Sequence, residues 1–200
     1  MGPLELMQSI LPLMPARPSS RVVNMASMLG KITTPKYCPK INAAFRDALN
    51  VAGSPPRKLS NGTYNWKVVE PITRLMHQYL DSVEKGTWKE DGWPASPYAV
   101  SKTGLIGLSL ILGRQLGLDG SKDTEVHEQG RVLINACCPG YVRTDMTKGK
   151  GRRTPERAAA LPLKLALQTI EASGEFWEGE SISNWSPEEL SPGTPTMNEE

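Results

Sequence analysis

Tyr98 and Lys102 stand four residues apart at the start of a segment with helical periodicity, a spacing that stacks both side chains on one face. A free phenol titrates at about 10, and a neighbouring ammonium favours the phenolate and draws that value toward neutrality. A tyrosine so placed can give a proton to a substrate oxygen or take one from it. Ser27 ends a short β-prone run, and a hydroxyl at the carboxyl end of a strand can donate to a developing oxyanion. Each residue also has a plainer reading: an exposed amphipathic pair for Tyr98 and Lys102, and a strand-ending turn residue for Ser27. Cys137 and Cys138 sit side by side in an apolar run and read as small buried core residues rather than a redox pair.

The elements that must position these groups alternate. Leu4, Met7, Leu11 and Met14 fall at helical spacing, and Pro12, Pro15 and Pro18 end that helix. Residues 21–26 read as a buried strand that stops at Ser27, and residues 31–63, rich in Pro, Gly, Asn and Lys, as a long irregular excursion. Ile72, Leu75, Met76, Tyr79 and Val83 mark one face of an amphipathic helix, followed by a loop from Gly86 to Pro97. After Pro97 a second helix carries Leu105, Leu108, Leu112 and Leu116 on one face, with Gly104 and Gly107 expected to admit a neighbouring backbone. A polar loop spans 117–130, and residues 131–138 form a second strand candidate, stopped by Pro139-Gly140. Thr154-Pro155-Glu156 opens a helix through about Ile170, a third strand is expected near Phe176–Ile182, and the tail from Ser186 reads as disordered.

Strand, helix, strand, helix, strand is the pattern of an α/β parallel sheet with crossover helices, in which ligands bind beyond the carboxyl ends of the strands. Ser27 and the Pro139-Gly140 turn both fall at such ends. Lys and Arg number 23 against 21 Asp and Glu, a net charge of +2 that leaves no footprint for nucleic acid or an acidic membrane. The basic run Lys148, Lys150, Arg152, Arg153 is interleaved with glycine and reads as a mobile loop. With Cys38 the cysteines total three, which argues against a disulfide framework and for a reducing compartment. Residues 4–14 are too short to span a bilayer, so a soluble cytoplasmic protein is expected.

Three segments in order resemble successive motifs of the short-chain dehydrogenase/reductases: Asn24-Met25-Ala26-Ser27, Tyr98-Ala99-Val100-Ser101-Lys102, and Asn135 through Met146 (NACCPGYVRTDM). The third looks especially like the monomeric NADPH-dependent carbonyl reductases. So do the long insertion between Ser27 and Tyr98, the Gly92-Trp93-Pro94 run and the vicinal cysteines. The likeness spans about residues 3–183. It implies the C-terminal part of a Rossmann-like doubly wound sheet, residues 1–185, with a helical insertion at 31–97 before the catalytic helix and a tail at 186–200. It further implies NADPH-dependent reduction of a small carbonyl substrate (an aldehyde, ketone or quinone), with Tyr98 as proton donor, Ser27 orienting the carbonyl, and Lys102 tuning the tyrosine and binding the nicotinamide ribose. Pro139, Gly140, Val142, Arg143 and Thr144 would lie beside the nicotinamide, the Val142 backbone and Thr144 hydroxyl holding its carboxamide. Met28 and Tyr141 would face the substrate. The insertion would cover the helix face that other members use to oligomerise, which implies a monomer.

The family's glycine-rich turn after a first strand has no counterpart here. Gly104, Gly107 and Gly113 lie within a helix pattern, and Gly149-Lys150-Gly151 follows no buried strand. Without such a turn a pyrophosphate lacks its cradle of backbone N–H groups. The residues that choose NADP over NAD and the family's catalytic asparagine have no match either. Two βαβ units correspond to about a hundred residues, so the chain reads as a fragment, a shortened splice form or an incomplete gene model. The alternative to an enzyme is therefore a truncated, non-catalytic chain that acts only as an interaction partner.

Overall fold

The structure, a computed structural model, describes residues 2–15, 20–32, 37–50, 66–117, 132–168, 170 and 172–186. The polar loop read at 117–130 lies almost wholly outside the described residues, as does the tail beyond Ser186.

Helix α1 (Gly2–Ile10) passes through a tight turn at Leu11–Leu13 and buries Leu4, Met7 and Leu11. Strand β1 (Arg21–Met25) follows, then α2 (Pro39–Asn50), α3 (Glu70–Lys85), α4 (Pro97–Gly117), β2 (Leu133–Cys138), α5 (Pro155–Leu167), β3 (Phe176–Glu178) and β4 (Ser181–Ile182). The sheet runs β1-β2-β3-β4, with β1, β2 and β3 parallel and β4 antiparallel to β3. The single third strand expected at 176–182 is thus a small hairpin, reversed at Gly179, whose φ of +65° suits glycine.

Strand β2 is buried at all six positions because helices cover both of its faces. Ile134, Ala136 and Cys138 face the main core with α4, whereas Cys137 faces Leu161 and Leu165 of α5 together with Trp177. Asn135, buried between them, is satisfied at both ends: its Nδ2 donates to Ala172 O at 2.8 Å and its Oδ1 accepts from Glu175 N at 3.1 Å. It thereby ties β2 to the segment entering β3.

Helix α4 departs from a one-sided leucine stripe. Ile106, Leu108, Leu110, Ile111 and Leu112 are all buried, while Leu105 and Leu116 are half-buried. The sheet packs on one side of this helix and α3 on the other, so its sequence is apolar nearly all round. The close backbone approach lies at Gly113, where a Cβ would come within 2.3 Å of Gly174 N and Ile134 O. Gly104 and Gly107 instead receive side chains, Met76 and Ile72 of α3.

The described part of the excursion, residues 37–50, is more ordered than its composition suggests. Helix α2 lies inside the stretch read as irregular and buries Ile41, Phe45 and Ala48, one stripe in an otherwise polar sequence. Phe45 sits edge-on to Tyr37, Trp93 and Trp185 with ring centroids 5.8–6.1 Å apart. In α3 the buried face is Ile72, Leu75, Tyr79 and Ser82, and Val83 is exposed. Ser82 donates to Asp91 Oδ2 at 2.7 Å, and Thr87 donates to the same oxygen at 2.7 Å. Those two bonds hold the Asp91 carboxyl below its ordinary range and fasten the loop before α4. At the far end, Trp185 is fully buried and Ser186 nearly so.

Candidate active site

Strand β1 delivers Ser27 to the carboxyl rim of the sheet. Met25 pairs with Cys137, and Ala26 N donates to Cys137 O at 2.8 Å as the last ladder bond. The chain then turns: Ser27 Oγ accepts from Leu29 N at 3.2 Å and caps a short helical turn over Met28–Gly30. Ser27 is 8% exposed, and among the described residues no acceptor takes its hydroxyl proton.

That turn rests directly on α4. A Cβ on Gly30 would stand 2.6 Å from Lys102 C and 2.8 Å from Lys102 O and Thr103 N. Only glycine lets the Ser27–Gly30 turn touch the helix backbone at Lys102. Gly30→Ala is expected to cost about 1–3 kcal/mol through overpacking against rigid backbone. Urea denaturation checks this; an unchanged midpoint would mean the added methyl finds room.

Lys102 reaches back to the same rim. Its Nζ donates to Met25 O at 2.7 Å and lies 5.7 Å from the centre of the Tyr98 ring. An ammonium has three donors, so two remain for a ligand. Tyr98 itself is 46% exposed. The backbone contact at Gly30 and the Lys102–Met25 bond therefore gather Ser27, Tyr98 and Lys102 at one strand end. Met25, Met28 and Leu29 expose apolar surface beside them, at 42–48%.

The loop after β2 supplies the neighbouring rim. Pro139, Gly140 and Val142 are half-buried; Tyr141, Arg143 and Thr144 are exposed. Gly140 adopts φ +84° as the chain leaves the strand, and its N–H donates to Cys138 Sγ at 3.4 Å. Thr147 Oγ1 donates to Val142 O at 2.7 Å and accepts from Thr144 N at 3.1 Å. Of the Val142 backbone expected to meet a carboxamide, the carbonyl already accepts the Thr147 bond within the loop. The basic stretch beyond, read as mobile, is closed by backbone bonds instead: Arg143 N to Arg153 O at 2.8 Å and Arg153 N to Tyr141 O at 3.1 Å. Gly151 is pressed so close to Val142 that a Cβ would stand 2.0 Å from Val142 C. The sequence reading missed Gly30, Thr147 and Gly151 because their importance lies in contacts rather than in residue type.

Cys137 and Cys138 point to opposite sides of β2 and are free thiols. Burial pushes the Cys137 thiol up to about 12, with Cys138 adding to the effect. The folded chain is therefore expected to leave Cys137 unmodified by iodoacetamide at mildly alkaline pH, while urea makes it reactive. Peptide mass spectrometry reads the difference, and native-state labelling would contradict this burial.

Among the described residues no cluster of three or more His, Cys, Asp or Glu could hold a metal. Nor is any described helix long and apolar enough to cross a membrane. A cavity of about 440 Å³ opens on the α3 flank of α4, between Pro3 and Leu4 of α1 and Met76 and Tyr79 of α3.

No family model matches the chain. Its relatives do: it is 32% identical to carbonyl reductase [NADPH] 1 of Mus musculus and 30% identical to the same protein of Homo sapiens. Each match runs over 187 residues and covers 92% of this chain and 58% of the relative. Salutaridine reductase of Papaver somniferum shares the fold, with a TM-score of 0.62 at 23% identity over 88% of this chain and 51% of that one. In sequence and fold the chain is thus similar to the short-chain dehydrogenase/reductases, and it spans little more than half the length of the carbonyl reductases it matches.

Proposed function

We propose that this chain carries the chemical half of an NADPH-dependent carbonyl reductase, acting on aldehydes, ketones or quinones. The observation that carries the reading is the convergence of the Ser27 turn, Lys102 Nζ and the Tyr98 ring at the carboxyl end of β1. In it the Ser27 hydroxyl donates to the substrate oxygen, Tyr98 supplies the proton as the alcohol forms, and Lys102 stabilises the phenolate left behind. The carbonyl reductases that the chain resembles are named for NADPH, which would supply the hydride when bound. The nicotinamide end fits the residues present: Lys102 keeps free donors for ribose hydroxyls, and the half-exposed Pro139–Thr144 loop offers Gly140, Val142, Arg143 and Thr144 beside it. Tyr141 and Met28 wall the substrate side.

The fit of α3 on α4, with Ile72 and Met76 seated at Gly107 and Gly104, supports a monomer, because the insertion occupies that helix face. The test compares NADPH consumption with a quinone and with an aldehyde. One sample is this chain, and the other is a form extended at its N-terminus by a strand, glycine-rich turn and helix. The extended form is expected to turn over and the 200-residue chain to bind NADPH poorly. A completed form that consumes no NADPH with either substrate would sink the reading. A specific observation favours the non-catalytic alternative for the short chain: β1 is the last strand on its side of the described sheet. Its open edge suits pairing with another segment.

A further inference from the structure

The Arg153 side chain lies against Gly140. A Cβ built on Gly140 would stand 3.2 Å from its Cδ and Nε and 3.4 Å from its Cζ. Its backbone is pinned there by the bonds to Tyr141 O and from Arg143 N. From Gly140 to Arg153 the sequence holds five Lys or Arg, and Asp145 is the lone acid. Among the described residues the one salt bridge joins Lys31 to Glu178, so no carboxylate neutralises Arg153. Glu156, the next acid along, is held by its own backbone N–H and the Thr154 hydroxyl at the start of α5, which keep its carboxyl below the ordinary range. The turn under Arg153 leaves β2, the strand paired with β1, whose end carries Ser27. Neighbouring strands lie about 4.8 Å apart.

We infer that Arg153 is a specificity-determining residue that binds an anionic oxygen, a carboxylate above all, on the substrate whose carbonyl Ser27 and Tyr98 receive. This rests on the reading of that rim as the carbonyl site. A guanidinium held by backbone bonds and a glycine platform is pre-organised for two-pronged recognition of a carboxylate. Among the described residues no carboxylate takes up its charge, which leaves it for a ligand.

The experiment uses the full 200-residue chain and two benzophenone-type ketones of similar size, neutral 4-benzoylpyridine and anionic 4-benzoylbenzoate. Both are expected to bind reversibly in the dark, and benzophenone-type ketones crosslink under illumination. Tryptophan quenching is expected to show the anion binding about tenfold more tightly at low salt, a step of one decade in affinity, and losing that advantage as salt rises. Crosslinks should fall in residues 25–28 or 139–144. Arg153→Gln should erase the preference and leave the neutral ketone unaffected, and Arg74→Gln on exposed α3 should change neither. Equal affinity for the two ketones, or a preference that survives Arg153→Gln, overturns the inference and leaves the carbonyl site standing. Crosslinks of both ketones elsewhere, or no binding of either, overturn the site reading and the inference together. Displacement of the anion's advantage by inorganic pyrophosphate would reassign Arg153 to a cofactor phosphate and so also overturn it.

Discussion

Tyr98→Phe, made in the N-terminally extended form, is expected to lower carbonyl reduction by about 10²–10⁴-fold with NADPH affinity nearly unchanged. The substitution removes one oxygen and keeps the ring. The ring is what Lys102 Nζ faces at 5.7 Å, and the Lys102–Met25 bond does not involve the phenol. Tyr98 is 46% exposed, so the loss of its hydroxyl leaves no buried group unpaired and should not weaken the fold. A fall in kcat with little change in cofactor binding separates a proton donor from a residue that only shapes the pocket. Lys102→Met is the companion: it should lower both turnover and cofactor affinity, because it removes the donors left for a ribose as well as the charge beside the phenol. Retained activity in Tyr98→Phe would deny the tyrosine its role.

Trp185→Ala is the largest expected loss of stability, about 3–5 kcal/mol for a fully buried aromatic. Domains of this size are stable by about 5–15 kcal/mol, so the variant stands near unfolding at room temperature. Two side-chain attachments explain the magnitude, beside a backbone bond that the substitution keeps. The indole packs edge-on to Phe45 at 5.9 Å, its Nε1 donates to Gly30 O at 2.8 Å, and its backbone O accepts from Ile32 N at 3.0 Å. Two of these grip the segment that carries the Ser27–Gly30 turn. Trp185→Phe should keep most of the packing and lose about 1 kcal/mol with the hydrogen bond. Urea unfolding followed by circular dichroism orders wild type, Phe and Ala variants. An Ala variant as stable as wild type would show that the C-terminal residues do not brace the site.

Tyr98 was legible in the sequence, whereas the Trp185 brace was not, because it acts through the Gly30 carbonyl, a contact that no local pattern states. Local pattern was enough where a residue's type states its surroundings. The run at 133–138, apolar but for Asn135, required cover on both faces, and Thr154-Pro155 fixed the start of α5, where Thr154 Oγ1 accepts from Arg157 N at 3.4 Å. Helix α2 escaped because Ile41, Phe45 and Ala48 form its whole buried stripe, and lysine, asparagine and aspartate around them read as loop. The hairpin at β3 and β4 escaped because its reversal rests on the φ of one glycine. Val83 was misplaced on the buried face of α3, since which side of a helix is covered depends on what packs there, and the Asp91 loop claims Ser82.

The amino-acid sequence alone determined the alternation of strands and helices, the resemblance to a family, and the three candidate residues for the proposed chemistry, because residue type and spacing are local properties. Tertiary structure decided whether those residues meet. A glycine without a Cβ lets one turn lie on the α4 backbone, a lysine finds the last carbonyl of β1, and an arginine far along the chain folds back onto Gly140. Such meetings depend on distances between segments remote in the chain, and only packing sets those distances.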